Sequence, residues 1–509
     1  MTPSAETLTD RTTRAAQWRF AGSAVGAISQ LVVGVLLARL LTPADFGVMA
    51  LAWVVLGLAR PLGDLGIGGA VVQRAALTER HVRTAFTFSV LLGLSAATAL
   101  AATAPLAAAA LRDPRVTSVL RLLALGFALQ GVAVVSGALL RRRLDFRRQF
   151  FIDIGSYLVG YGGVAVSLAL FGYGVWSLAW GSLAQGVLAS AAQLGVVRHP
   201  VRPLLGRREL ADLLHFGVGA TAIAFVNYLA LNGDNFVIGR WSGATSLGLY
   251  SRAYTLMNVP FTYASLVAST VLFPAFAHVQ AEPARIRRAY LMLTQLTALI
   301  AASAMGTMAI AAPHLVRSVY GPRWTGAVLP LQILCFAGYF RALYHLGGIV
   351  AQSVGRVYSE LWRQVVYAAL VVAGALVGLR YDLPGVAAGV SLAILYMFVA
   401  TSQLSLRATQ TPWRVYLRVQ RGALVTAAFA GAVALGVRLL LEAMQASSAV
   451  ITVAILAGAA VPWSLGMLWN LGDPDFEPLR SRLPGWCGRL IERLRGPRYP
   501  RSDNMPSAT

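Results

Sequence analysis

The chain has 509 residues, 57% of them hydrophobic and 12% charged, with a mean hydropathy of +0.64 and a formal net charge of +23. A soluble domain carries about a quarter charged residues, so this composition sets aside a string of soluble domains and points to a polytopic helical membrane protein. All 43 basic residues are arginine, which excludes a lysine Schiff base and a Walker-type phosphate loop, whose lysine is obligatory.

Taking roughly 20 apolar residues as the crossing length, the sequence predicts about 14 spans: 20–41, 46–72, 84–111, 116–140, 149–171, 175–197, 210–233, 247–273, 289–312, 327–354, 361–379, 385–406, 422–441 and 449–471. Turn signals separate them, among them "LTPAD" at 41–45, "RDPR" at 112–115, "FGYG" at 171–174 and "YDLPG" at 381–385. The first apolar run is too long for a signal-peptide core and lacks a small-residue cleavage site. Cys335 lies in an apolar run and Cys487 in a basic tail, so no structural disulfide is expected. The six histidines are scattered without ligand spacing, and neither a metal nor a cofactor is expected. No connection is long enough for an aqueous catalytic domain, which argues for a transporter rather than an enzyme.

Arginine distribution orients the layout. With the N-terminus in the cytoplasm, inner segments hold 31 arginines and outer segments 6, a strong positive-inside signal. The run "RRRLDFRR" at 141–148 is the clearest anchor and reads first as a topology determinant touching anionic headgroups. The order along the chain becomes a cytoplasmic segment 1–19, a first six-helix lobe 20–209, a second 210–406, two further spans in 407–471 and a basic cytoplasmic tail 472–509. Within that tail Trp486, Leu490, Ile491 and Leu494 share a helical face, as in an interfacial helix.

One phrase occurs twice. Arg39 and Gly47 are eight residues apart, as are Arg240 and Gly248, and an offset of 201 relates both pairs and also Ala52 to Ala253. Leu37, Phe46 and Val48 meet Ile238, Leu247 and Leu249 at the same offset. Six spans separate the copies, so both enter the membrane in the same sense. The implied architecture is all-α, with two parallel six-helix lobes around a central cavity plus two C-terminal helices.

The stretches "ARLLTPADFGVMALAWVVLGLARPLGDLGIGGAVVQR" (38–74) and "GDNFVIGRWSGATSLGLYSRAYTLMNVP" (233–260) resemble the bacterial polysaccharide transporter family. These are Wzx-type oligosaccharide flippases of the multidrug/oligosaccharidyl-lipid/polysaccharide exporter superfamily. The resemblance implies flipping of an undecaprenyl-diphosphate-linked oligosaccharide across the bacterial inner membrane by alternating access, in lipopolysaccharide, capsule or exopolysaccharide biosynthesis. The partners it implies are that lipid-linked oligosaccharide, membrane lipids, and the polymerase and chain-length regulator of the same pathway; nucleic acid is not among them. Multidrug efflux on the same fold and lipid II flipping stay open as alternatives, as does a scaffold role in envelope assembly.

An anionic head crossing about 30 Å of hydrocarbon needs a shielded polar path with matching cations, a role suited to the planar, permanently charged guanidinium. Ionisable groups within spans are costly and tend to face a cavity or a partner. Arg341, Arg60, Arg252, Arg39 and Arg240 are therefore candidate cavity or gate residues, with Asp64 and Asp234 candidates for a coupling ion. Each has a plainer role available. Arg39 and Arg240 sit where arginines snorkel, and Arg60 and Asp64 are one turn apart, the spacing of an intrahelical pair. Asp153 adjoins the arginine run, and Asp234 and Arg252 fall near one mouth, where they could pair. Arg341 stands at the middle of its span, out of reach of water by snorkelling, with no carboxylate within a turn.

Overall fold

In hydrocarbon a backbone amide has no water to bond, so a spanning segment must satisfy its own N–H and C=O groups. The computed structural model describes residues 8–278, 283–353 and 357–471, and within them the regular structure is helical, without strands. The predicted tail helix lies outside the described residues.

Helix α1 (Leu8–Leu40) turns directly into α2 (Pro43–Asp64). Thr42 and Asp45 close a reciprocal capping box there. The Thr42 N–H donates to the Asp45 carboxylate at 3.0 Å and the Asp45 N–H to Thr42 Oγ1 at 3.3 Å, pairing donors that the first turn leaves open. The predicted span 46–72 is not one helix. Pro61 weakens the end of α2, and Leu65 and Gly66 both adopt left-handed φ values, 44° and 68°. The chain restarts as the short α3 (Ile67–Gln73). Arg142 fixes this second piece by donating to Val71 O, Val72 O and Ala75 O at 3.2, 3.0 and 3.0 Å, a cation at a helix C-terminus.

Next come α4 (Glu79–Leu111), α5 (Arg115–Arg142) and α6 (Phe146–Tyr157), which runs through a π-helical stretch, Leu158–Ala165, into α7 (Val166–Leu170). Then follow α8 (Val175–Val196), α9 (Arg207–Trp241), α10 (Gly243–His278), α11 (Pro283–Val319), α12 (Val328–Ser353), α13 (Val357–Gly378), α14 (Asp382–Ala408), α15 (Trp413–Ala443) and α16 (Ser448–Leu471). Within the described residues the 14 predicted spans fall on this helical backbone, apart from the break at Leu65–Gly66. Among the described residues, ten stretches are long and apolar enough to cross a membrane by length and composition, one of them, Ser359–Ala408, covering both α13 and α14. The three long helices outside these stretches are α8, α9 and α10.

Helices α4, α5, α6 and α8 pack as one group, and α11 to α14 as another, with α15 and α16 laid against α11. Helix α2 joins the groups through α9 and α10. The arginine-rich connections meet at one end of the bundle, where Arg74 pairs with Asp212 and Arg80 with Glu209, each at 2.8 Å, and Arg83 donates to Arg202 O at 3.1 Å. At Glu209, its own backbone N–H and then the Arg80 guanidinium hold the carboxyl below the usual carboxylate range.

Candidate transport cavity

Between α2, α5, α8 and α9 lies a cavity of about 1140 Å³. Helical spacing explains its lining. On α5 the residues Gly126, Gln130, Gly137 and Arg141 recur at four- and seven-residue steps and share one face, and on α8 Ser182, Gln185, Ser190 and Gln193, three and five residues apart, share another. Glycine opens the space and the side chains between supply hydrogen-bonding groups. On α2 the facing residues are Trp53, Gly57, Arg60 and Asp64. From α9, Tyr228 fills the hollow left by Gly57 and donates from its hydroxyl to Trp53 O at 2.9 Å.

Arg60 and Arg141 are exposed to this space at its arginine-rich end. Asp64 lies between them electrostatically, feeling both guanidinium groups, and its Oδ1 accepts weakly from Gly68 N at 3.5 Å. Of the sequence candidates, then, Arg60 and Asp64 line the cavity. Arg141 joins them. Sequence reading placed it with the headgroup-facing run, yet its spacing of 11 residues from Gln130 on a shared face was the available signal.

The other end is shut by the duplicated phrase. A methyl group built on Gly47 would overlap the carbonyl oxygen of Ala244, and one built on Gly248 would overlap that of Pro43. Residues 43 and 244 are themselves related by the offset of 201. The contact is therefore reciprocal between the two copies of the phrase, as in an isologous interface. It needs glycine because the backbones of α2 and α10 touch. Trp324, in the 3₁₀ turn Pro322–Ala327, completes the closure. Its indole N–H donates to Ala38 O at 2.9 Å, its ring meets Phe46 edge-on at 5.5 Å, and it is fully buried. Nothing in the sequence marked this tryptophan beyond its place in a connection.

The remaining candidates sit around this seal or away from the cavity. Arg39 donates through Nε to Val319 O at 3.0 Å and through a terminal nitrogen to Ser318 O, tying α1 to the C-terminus of α11. Arg252 lies over the Phe46 ring at 4.5 Å, and Arg240 over Trp241 at 5.5 Å. Asp234 is buried and accepts from the Tyr250 hydroxyl at 2.7 Å and from Asn235 N at 2.8 Å, not from Arg252. Arg341 does not line the cavity. It is 8% exposed within the second group of helices, donates to the Tyr254 hydroxyl and interacts electrostatically with Asp234. Asp153 accepts from Gln149 at 2.8 Å.

The family model described as polysaccharide biosynthesis protein matches residues 36–329, more than half of the chain. The chain belongs to the polysaccharide biosynthesis protein family. Among relatives of this family member, the lipopolysaccharide biosynthesis protein WzxC of Escherichia coli (strain K12) is 26% identical over 356 residues, covering 69% of this chain and 71% of its own. The teichuronic acid biosynthesis protein TuaB of Bacillus subtilis (strain 168) is 26% identical, over 67% and 71%. The succinoglycan biosynthesis transport protein ExoT of Rhizobium meliloti (strain 1021) is 28% identical, over 59% and 61%. The fold is shared with the lipid II flippase MurJ in an inward closed conformation, at a TM-score of 0.71 and 12% identity, covering 88% of this chain and 97% of that one. A multidrug resistance MATE family transporter in its inward-facing conformation gives 0.58 at 17% identity, over 77% and 95%.

Proposed function

We propose that this polysaccharide biosynthesis protein carries a lipid-linked oligosaccharide across the inner membrane of a bacterium by alternating access of two lobes, residues 20–209 and 210–406, with 407–471 as an appended helix pair. The observation that carries the reading is a polar chamber with two arginines at one end and a backbone-to-backbone seal at the other. Arg60 and Arg141 would hold an undecaprenyl diphosphate headgroup, whose oxygens match the guanidinium fork, while the chamber shields the sugars from lipid. The names of WzxC and ExoT support this substrate class. An organic cation, the cargo of a multidrug transporter, would meet two like charges at the entrance. Transport of this kind needs no catalytic residue, and a polymerase and chain-length regulator would act on the product.

In proteoliposomes the purified protein should move a polyprenyl-diphosphate-linked oligosaccharide to the opposite leaflet, read as exposure of the sugar to an added glycosidase. Transfer no faster than in protein-free vesicles overturns the reading.

The same reading places the arginine-rich end, and with it both termini, in the cytoplasm. In a Cys487→Ser background, Tyr173→Cys should react with an impermeant thiol reagent in intact cells and Arg143→Cys only after permeabilisation. The reverse pattern inverts the orientation.

A further inference from the structure

The cavity separates charge from neutral polarity along its depth. Among the described residues, its charged lining consists of Arg60, Asp64 and Arg141, all towards the arginine-rich end. Gln130 lies 11 residues before Arg141 on α5, which at 1.5 Å per residue is about 16 Å further in. The deeper wall is built from Gln130, Gln185, Tyr228 and Asn232 with Trp53 and Leu123. Among the described lining residues of this half, drawn from α2, α5, α8 and α9, none is an arginine, aspartate or glutamate. Tyr228 and Asn232 already donate, to Trp53 O and Tyr228 O. The side-chain amides of Gln130 and Gln185 make no hydrogen bond among the described residues.

On the flippase reading just given, we propose that the cavity is specific for an uncharged glycan: the diphosphate supplies the substrate's whole charge, and its sugars bear hydroxyl or acetamido groups without uronate, ketal carboxylate or phosphate. Two guanidinium groups suit one diphosphate and leave no cation for another anion. An amide offers two donors and an acceptor, so Gln130 and Gln185 can each give and take a hydrogen bond with sugar hydroxyls. A carboxylate carried to their depth would lose hydration and find no counter-charge, an unfavourable exchange in a membrane interior.

The test uses two synthetic polyprenyl-diphosphate-linked trisaccharides that differ only in the terminal sugar, glucose in one and glucuronate in the other, in proteoliposomes at neutral pH. We expect the glucuronate compound to cross at least about tenfold more slowly, and Gln130→Arg to narrow that gap by raising its rate. Equal rates for the two compounds, or a faster rate for glucuronate, overturn the specificity and leave the flippase reading standing. If neither compound crosses, the flippase reading fails and this inference fails with it. If the gap is present but Gln130→Arg, inserted at normal levels, does not narrow it, the assignment of selectivity to the deep amide wall is overturned.

Discussion

Replacing Gly47 by alanine should abolish transport while leaving the protein in the membrane, and Gly248→Ala should do the same. Each methyl group would occupy the place of a carbonyl oxygen in the other lobe, Ala244 O for Gly47 and Pro43 O for Gly248. A backbone oxygen in a helix cannot swing aside as a side-chain end can, so the two helices must part. Overpacking of this kind costs about 1–3 kcal/mol, and 3 kcal/mol of bias between two states corresponds to a population shift of roughly 150-fold. The cost falls only on the state in which α2 and α10 touch, so the variants should rest with the seal open. A cysteine at Ala52, buried just beyond the crossing, should then label from the arginine-poor side in Gly47→Ala and stay protected in the parent. Gly26 has open space around its Cα, so Gly26→Ala should transport normally. Normal transport by Gly47→Ala would show that the crossing does not gate the path.

Neutralising Arg60 or Arg141 should lower transport by about 10- to 100-fold each, the range expected for losing hydrogen bonds to a charged group at about 1.5–3 kcal/mol. The double Arg60→Gln, Arg141→Gln variant should be inactive. Lysine at either position should rescue only partly, because a point charge lacks the fork that meets two oxygens at once. The adjacent Arg142 provides the contrast. Its guanidinium holds the end of α3 rather than facing the cavity, so Arg142→Gln should reduce accumulation in the membrane instead of transport per molecule. Full transport by the double glutamine variant would remove both arginines from the substrate path.

How far these groups could be read from the sequence depended on the kind of constraint that places them. Hydrocarbon thickness acts on local composition, so the spans were legible, and arginine counts grouped the loops. The duplicated phrase marked the right place, but its glycines acquired a reason only when each was seen against the other lobe's carbonyl. The break after α2 was hidden because Leu65, an ordinary helix former, is held in a left-handed conformation by its context. Arg341 shows the opposite difficulty. Its depth was legible, but depth does not say which way a side chain points, and it turns to Tyr254 on α10, 87 residues away. Arg141 and Arg142 adjoin in one basic run, yet 100° of helical rotation sends one to the cavity and the other to α3.

The reciprocity of the Gly47 and Gly248 contacts bears on ancestry. A half-length chain paired with its own copy about the same axis would need a single glycine to make both contacts, so one position would serve the whole closure. Fusing two such halves into one polypeptide doubles the sites at which one substitution can spoil it. In return, each half becomes free to drift. Proline at 43 and alanine at 244 already differ, one pre-set for a helix start and the other not.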